Sequence, residues 1–183
     1  MASFTPQGAT EVAAKLGMST QQAAVYLSKQ MMRTDSTNTQ RISQIISKHG
    51  YLGKSLVSTP TNEAAFYVLQ YSPLIKQYLP LVKQAAERGE LSFRLYAMML
   101  NRQLMFDGNQ QVYGTQARGY AVKDPTTGEL QQKFFIWLVK NAAGVNQRRK
   151  QAGFEQTVEE NAKGLNTTYQ VLTLEQAKKI LNK

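Results

Sequence analysis

The sequence predicts a mainly α protein: a helical domain that carries one β-hairpin, an α+β arrangement. Between Thr20 and Phe106, apolar residues recur at helical intervals between capping and breaking signals. From Gln111 to Lys140 the chain becomes rich in Tyr, Val, Phe, Ile and Trp around the turn sequence Asp124-Pro125-Thr126-Thr127-Gly128-Glu129. At 183 residues with 42% hydrophobic content, the chain can bury a core of its own, since a domain of ~150 residues buries roughly 70% of its unfolded surface.

Residues 1–18, rich in Ala, Gly, Thr and Ser, read as a loose or short helical lead-in. Ser19-Thr20-Gln21-Gln22 has the spacing of a capping box and opens a helix over 20–33. Thr34 to Thr37 should interrupt it, and a second helix, Thr39 to Lys48, should follow with Ile42, Ile45 and Ile46 on one face and Gly50 as its cap. Thr59-Pro60 suits the first turn of a nearly all-round apolar helix over 61–71. Leu74 to Arg88 predicts a helix that kinks or begins near Pro80. Ser92 to Phe106 predicts another, closed by Asp107-Gly108. The hairpin is expected at about 111–140. Residues 144–163 read as helix divided by Gly153, and Thr173-Leu174-Glu175-Gln176 is a capping box for a terminal amphipathic helix. These elements suggest an N-terminal helical extension over 1–34, a main helical domain over 35–165 and a C-terminal helix over 166–183.

The absence of cysteine excludes disulfides, thiolate metal sites and a cysteine nucleophile. His49 is the only histidine, and no carboxylate cluster has a ligand spacing, so neither a metal nor a cofactor is expected. Gly50-Tyr51-Leu52-Gly53-Lys54-Ser55 ends like a phosphate-binding loop, but the first glycine of that motif is misplaced. No apolar run reaches the ~18 residues that a membrane span needs. Met1 to Gly17 does not read as a signal peptide, so the chain as written is cytoplasmic, or periplasmic or secreted if a signal has been removed. The net charge of +10 is spread as +4 over 1–60, +1 over 61–110 and +5 over 111–183. Its longest basic run is Arg148-Arg149-Lys150. Such dispersion gives a nucleic-acid partner only weak support, because those binders concentrate cations on one face.

The most distinctive polar cluster is Asn109 to Gln116, where the last long helix hands over to the hairpin. Its amides and hydroxyls either bind a polar ligand or satisfy backbone groups at a tight junction with Gly114 supplying an unusual backbone angle. His49, beside Gly50, is either a site residue or a helix cap.

Several segments in order resemble an uncharacterised bacterial family, a domain of unknown function. They are Asp35-Ser36-Thr37-Asn38, His49 to Val57 (HGYLGKSLV), Asn62 to Phe66 (NEAAF), Tyr78 to Glu90 (YLPLVKQAAERGE), Tyr113-Gly114-Thr115-Gln116, and Arg148-Arg149 with Gly153-Phe154. The resemblance covers roughly residues 35–160. It implies no established activity, though an envelope location fits the many relatives that look exported. Members often carry Gln-His-Ser/Ala-Asp where this chain has Gln70-Tyr71-Ser72-Pro73, and Asp-Arg where it has Asn101-Arg102. Groups suited to proton transfer are thus replaced here, while Arg102, Tyr113, Thr115 and Gln116 are kept.

The leading expectation is a binding or interaction module. Arg102, Tyr113, Thr115 and Gln116, with Arg148 and Arg149 nearby, would line a pocket for a small anionic or polar ligand. An enzyme, a hydrolase or toxin-like effector using His49 or Tyr113, is the alternative. A third reading is a structural subunit that packs Met31, Met32, Met98 and Met99 against a protein partner.

Overall fold

The computed structural model describes residues 6–182. The first five residues of the expected lead-in and Lys183 lie outside them. Among the described residues, the chain forms nine helices and one two-stranded antiparallel sheet, the mainly α fold with one hairpin that the sequence predicts. Contacts divide it into two compact units, one ending at Gly50 and one beginning at Tyr51.

The first unit holds α1 (Pro6–Leu16) and α2 (Thr20–His49), which pack against each other. Ala9 and Ala13, one turn apart on α1, are both buried. The Ser19 capping box forms: its hydroxyl accepts from Gln22 N–H, and the Gln22 side chain accepts from Ser19 N–H. The expected break at Thr34–Thr37 is absent, and α2 runs unbroken for 30 residues. Thr, Asp, Ser and Asn each cost only a few tenths of a kcal/mol in a helix, up to about 0.7. With neither glycine nor proline in this stretch, a well-nucleated helix passes through it. Gly50 (φ +73°) closes α2, its N–H donating to Ile46 O.

The second unit holds α3 (Lys54–Val57), α4 (Ala64–Leu69), α5 (Ile75–Glu87), α6 (Phe93–Phe106), β1 (Ala117–Lys123), β2 (Leu130–Ile136), α7 (Val145–Gln151), α8 (Val158–Gly164) and α9 (Leu174–Leu181). Pro60 does not start a long helix. It follows a cis peptide and precedes a 3-10 turn, Thr61–Glu63, that leads into α4. Pro80 lies inside α5 rather than in its first turn, and the carbonyl of Lys76 loses the N–H it would otherwise meet. Phe66, Leu69, Val82, Leu95 and Met99 are almost completely buried and belong to α4, α5 and α6.

The hairpin strands are shorter than the expected 111–140 segment because polar loops flank them. Ala117 pairs with Ile136 and Lys123 with Leu130. Asp124 shapes the turn by accepting from Thr126 N–H and Thr127 N–H at 2.8 and 3.0 Å. These bonds hold its carboxyl below the usual range. At the hairpin base, Phe135, Trp137 and Leu138 pack with Ala177 of α9, while Ile136 packs with Val145, Val158 and Ala162 of α7 and α8. The predicted division at Gly153 is present: φ is +82°, and α7 and α8 lie on either side. Thr173 caps α9 through the expected box, and Thr157 caps α8 through another that the sequence reading missed.

Candidate functional site

Helix α6 organises the polar junction. Asn101 is completely buried and follows the apolar run Ala97 to Leu100. Its Oδ1 accepts from Val112 N–H at 3.0 Å and Tyr113 N–H at 3.3 Å, and its Nδ2 donates to Thr115 Oγ1 at 3.0 Å. Gln111, also fully buried, acts as a second staple. Its Nε2 donates to the carbonyls of Gln116 and Trp137, both at 2.9 Å, and its Oε1 accepts from Gln116 N–H at 2.8 Å. Gly114 has φ +61°, and a Cβ there would fall 2.7 Å from Val158 Cγ2, so both the backbone angle and the space demand glycine. Within Asn109–Gln116, the Gln111 amide ties backbone to backbone, and the Gln116 amide donates to Thr115 Oγ1.

Arg148 and Arg149 belong to the same junction. Arg149 is 1% exposed. Its Nε donates to Gln156 O and an Nη to Tyr113 O, both at 2.8 Å, and its guanidinium lies 4.6 Å from the ring centre of Phe154. Burial lowers its pKa, and Glu159 and Glu160 oppose that shift. Arg148 donates to the carbonyls of Val112, Lys140 and Asn141. Asn161 of α8 donates to Gly114 O at 3.1 Å. Burial raises the pKa of the Tyr113 phenol, and Arg148 opposes that shift.

Arg102 differs. Among the described residues its side chain makes no hydrogen bond or ion pair, and its Nε is buried without a partner. Its guanidinium lies 4.2 Å from the ring centre of Tyr71, which is itself 69% exposed. Gln70 and Gln103, the sequence neighbours of this stacked pair, each bury an amide oxygen that also lacks a partner. Thus Gln70-Tyr71 and Arg102-Gln103, meeting through one cation–π contact, hold three of the five buried unpartnered side-chain polar atoms among the described residues. Such atoms are rare in native structures, and each calls for a water, ion or ligand. Sequence reading named Arg102 and noted Tyr71 only as a departure from the family pattern.

A second polar node unites the segments around Gly53, Asn62 and Glu90. The Glu90 carboxylate accepts from Ser55 N–H at 2.8 Å, which lowers its pKa. Its carbonyl accepts from Lys54 N–H and from Asn62 Nδ2. A Cβ on Gly53 would collide with the Glu90 side chain. Tyr51 donates to Asn62 O at 3.0 Å, and burial raises its phenol pKa, with Glu63 adding to the shift. This node fixes the entry to α3.

His49 is the exposed last residue of α2, in the first unit. Its imidazole makes no hydrogen bond among the described residues, and Gly50 closes the helix instead. No group of three His, Asp or Glu residues among the described ones is placed to hold a metal ion. Among the described residues, no helix is long and apolar enough to cross a membrane. The methionines divide: Met99 is fully buried, Met98 half-buried, and Met31 and Met32 exposed.

Comparison with curated proteins and with solved structures finds no match. A family model described as a family of unknown function (DUF6624) matches residues 11–173. The chain, matched over nearly its whole length, belongs to that family.

Proposed function

We propose that this protein is a binding module whose second unit takes a small anionic ligand at Arg102. The observation that carries this reading is the unpaired guanidinium. Arg148 and Arg149 are engaged by backbone carbonyls, whereas Arg102 is held only by its stack on Tyr71. A guanidinium fixed on an aromatic face presents its remaining N–H groups in a planar fork that fits a carboxylate or phosphate. The unpartnered oxygens of Gln70 and Gln103 would receive protonated groups of the ligand or an ordered water. A guanidinium stays protonated and supplies no general base, so the reading is recognition rather than turnover.

The test is a thermal-shift and calorimetric titration of the full chain with inorganic phosphate, a monocarboxylate and a dicarboxylate. A ligand selective for the native state raises the melting temperature. The reading expects such a shift in the wild type, its loss in Arg102→Ala, and a weaker shift in Arg102→Lys and Tyr71→Ala. An equal shift in Arg102→Ala would overturn it.

A further inference from the structure

We propose that the outer edge of β2 docks an extended acidic peptide strand. The ladder fixes which backbone groups face outward. Asp124 N–H donates to Glu129 O at one end of the hairpin, and Trp137 N–H donates to Gln116 O at the other. In the antiparallel register between them, odd-numbered residues of β2 bond to β1 and even-numbered ones face away. Thr167 agrees with this, since its hydroxyl donates to Phe134 O at 2.6 Å from the outer side. Among the described residues, the N–H and C=O of Gln132 and the N–H of Phe134 have no partner.

This edge borders a cleft of about 650 Å³ that Asn166, Thr167, Thr168, Gln170 and Leu172 also line. Successive residues of the strand line it. Gln132 and Phe134 line it from one face, and Lys133 and Phe135 from the other. An added strand has that same symmetry: its backbone pairs with the edge while alternate side chains fall on opposite faces. Phe134 stands over Gly119 of β1 and is 40% exposed, leaving an apolar surface for one set of side chains. The charge of the occupant follows from the lining. Lys133 lines the cleft and no Asp or Glu does. An acidic partner strand complements that surface.

The experiment selects short random peptides displayed against the full chain, then titrates the enriched ones by fluorescence anisotropy. The proposal expects Asp and Glu at alternating positions and at least about tenfold weaker binding to Lys133→Glu. Gln132→Pro should also block binding, because it removes an outward N–H without touching the ladder. Arg102→Ala should bind normally. Bound peptide should slow amide hydrogen exchange at Gln132 and Phe134. The idea is overturned if nothing is enriched, if the enriched peptides are not acidic, or if they bind Lys133→Glu as well as the wild type. Pairing of the edge with a second copy, seen as a concentration-dependent dimer that protects the same two amides, would also overturn it.

Discussion

Arg149 and Arg102 present the same chemistry in opposite states. Arg149 is buried, bridges two carbonyls far apart in sequence, and stacks on Phe154. Arg102 stacks equally well on Tyr71 but bonds to nothing else among the described residues. Both are arginines beside an aromatic ring, and what separates them is whether carbonyls have already taken the donors. The first setting belongs to the architecture of the junction. The second is where a ligand finds unused hydrogen-bonding capacity.

The contrast breaks first at Arg149. Arg149→Ala strands the carbonyls of Tyr113 and Gln156 and should cost about 3 kcal/mol, read as a fall in the urea midpoint. Arg149→Lys should recover little of this, because a single ammonium does not reproduce the guanidinium fork. Gln111→Leu, which orphans Gln116 N–H and the Trp137 carbonyl, should cost roughly 2 kcal/mol in the same assay. Asn101→Asp should be milder than Asn101→Leu, since Oδ1 can still accept from Val112 and Tyr113 while the Thr115 hydroxyl turns to donate. If the two variants were equally destabilised, the staple would not work through those N–H groups. Arg102→Ala should change stability by less than about 1 kcal/mol, the worth of an exposed cation–π contact. A large loss there would make Arg102 a structural residue like Arg149.

The smallest effect is acid sensitivity. Glu90, Glu159, Glu160 and Asp124 are held below their ordinary values mainly by hydrogen bonds to Ser55, Asn146, Thr157 and Thr127. Their folded values lie below the unfolded ones, so their stabilisation is complete above the ordinary carboxylate range. It is lost as pH falls through the depressed folded values. A urea midpoint that drops below pH ~4 in the wild type and drops less in Glu90→Gln would bear this out.

What the sequence made legible was local. The capping boxes at Ser19 and Thr173, the break at Gly153 and the turn after Lys123 are written in adjacent residues, whose chemistry acts within one helical turn or hairpin. The junction was only half legible. Arg149 reaches Tyr113, and Asn161 reaches Gly114, across separations of 36 and 47 residues. No periodicity encodes such contacts. The sign that was present, a buried amide at Asn101 within Met98-Met99-Leu100-Asn101-Arg102, reads in isolation as a polar break in an apolar face. The false break at Thr34–Thr37 came from the reverse error, in which weak propensity was given the force of a glycine or proline.

That uninterrupted helix has a consequence for how the chain comes apart. Every residue from Lys29 to Asn38 is exposed, so the middle of α2 has poor helix formers and no tertiary cover. Local opening is cheapest where buried contacts are fewest. Helix α2 should therefore open from its centre rather than fray from its capped start. Under native conditions a brief pulse of trypsin should cut first after Lys29 or Arg33, leaving the fragment that begins at Tyr51 folded within the larger product.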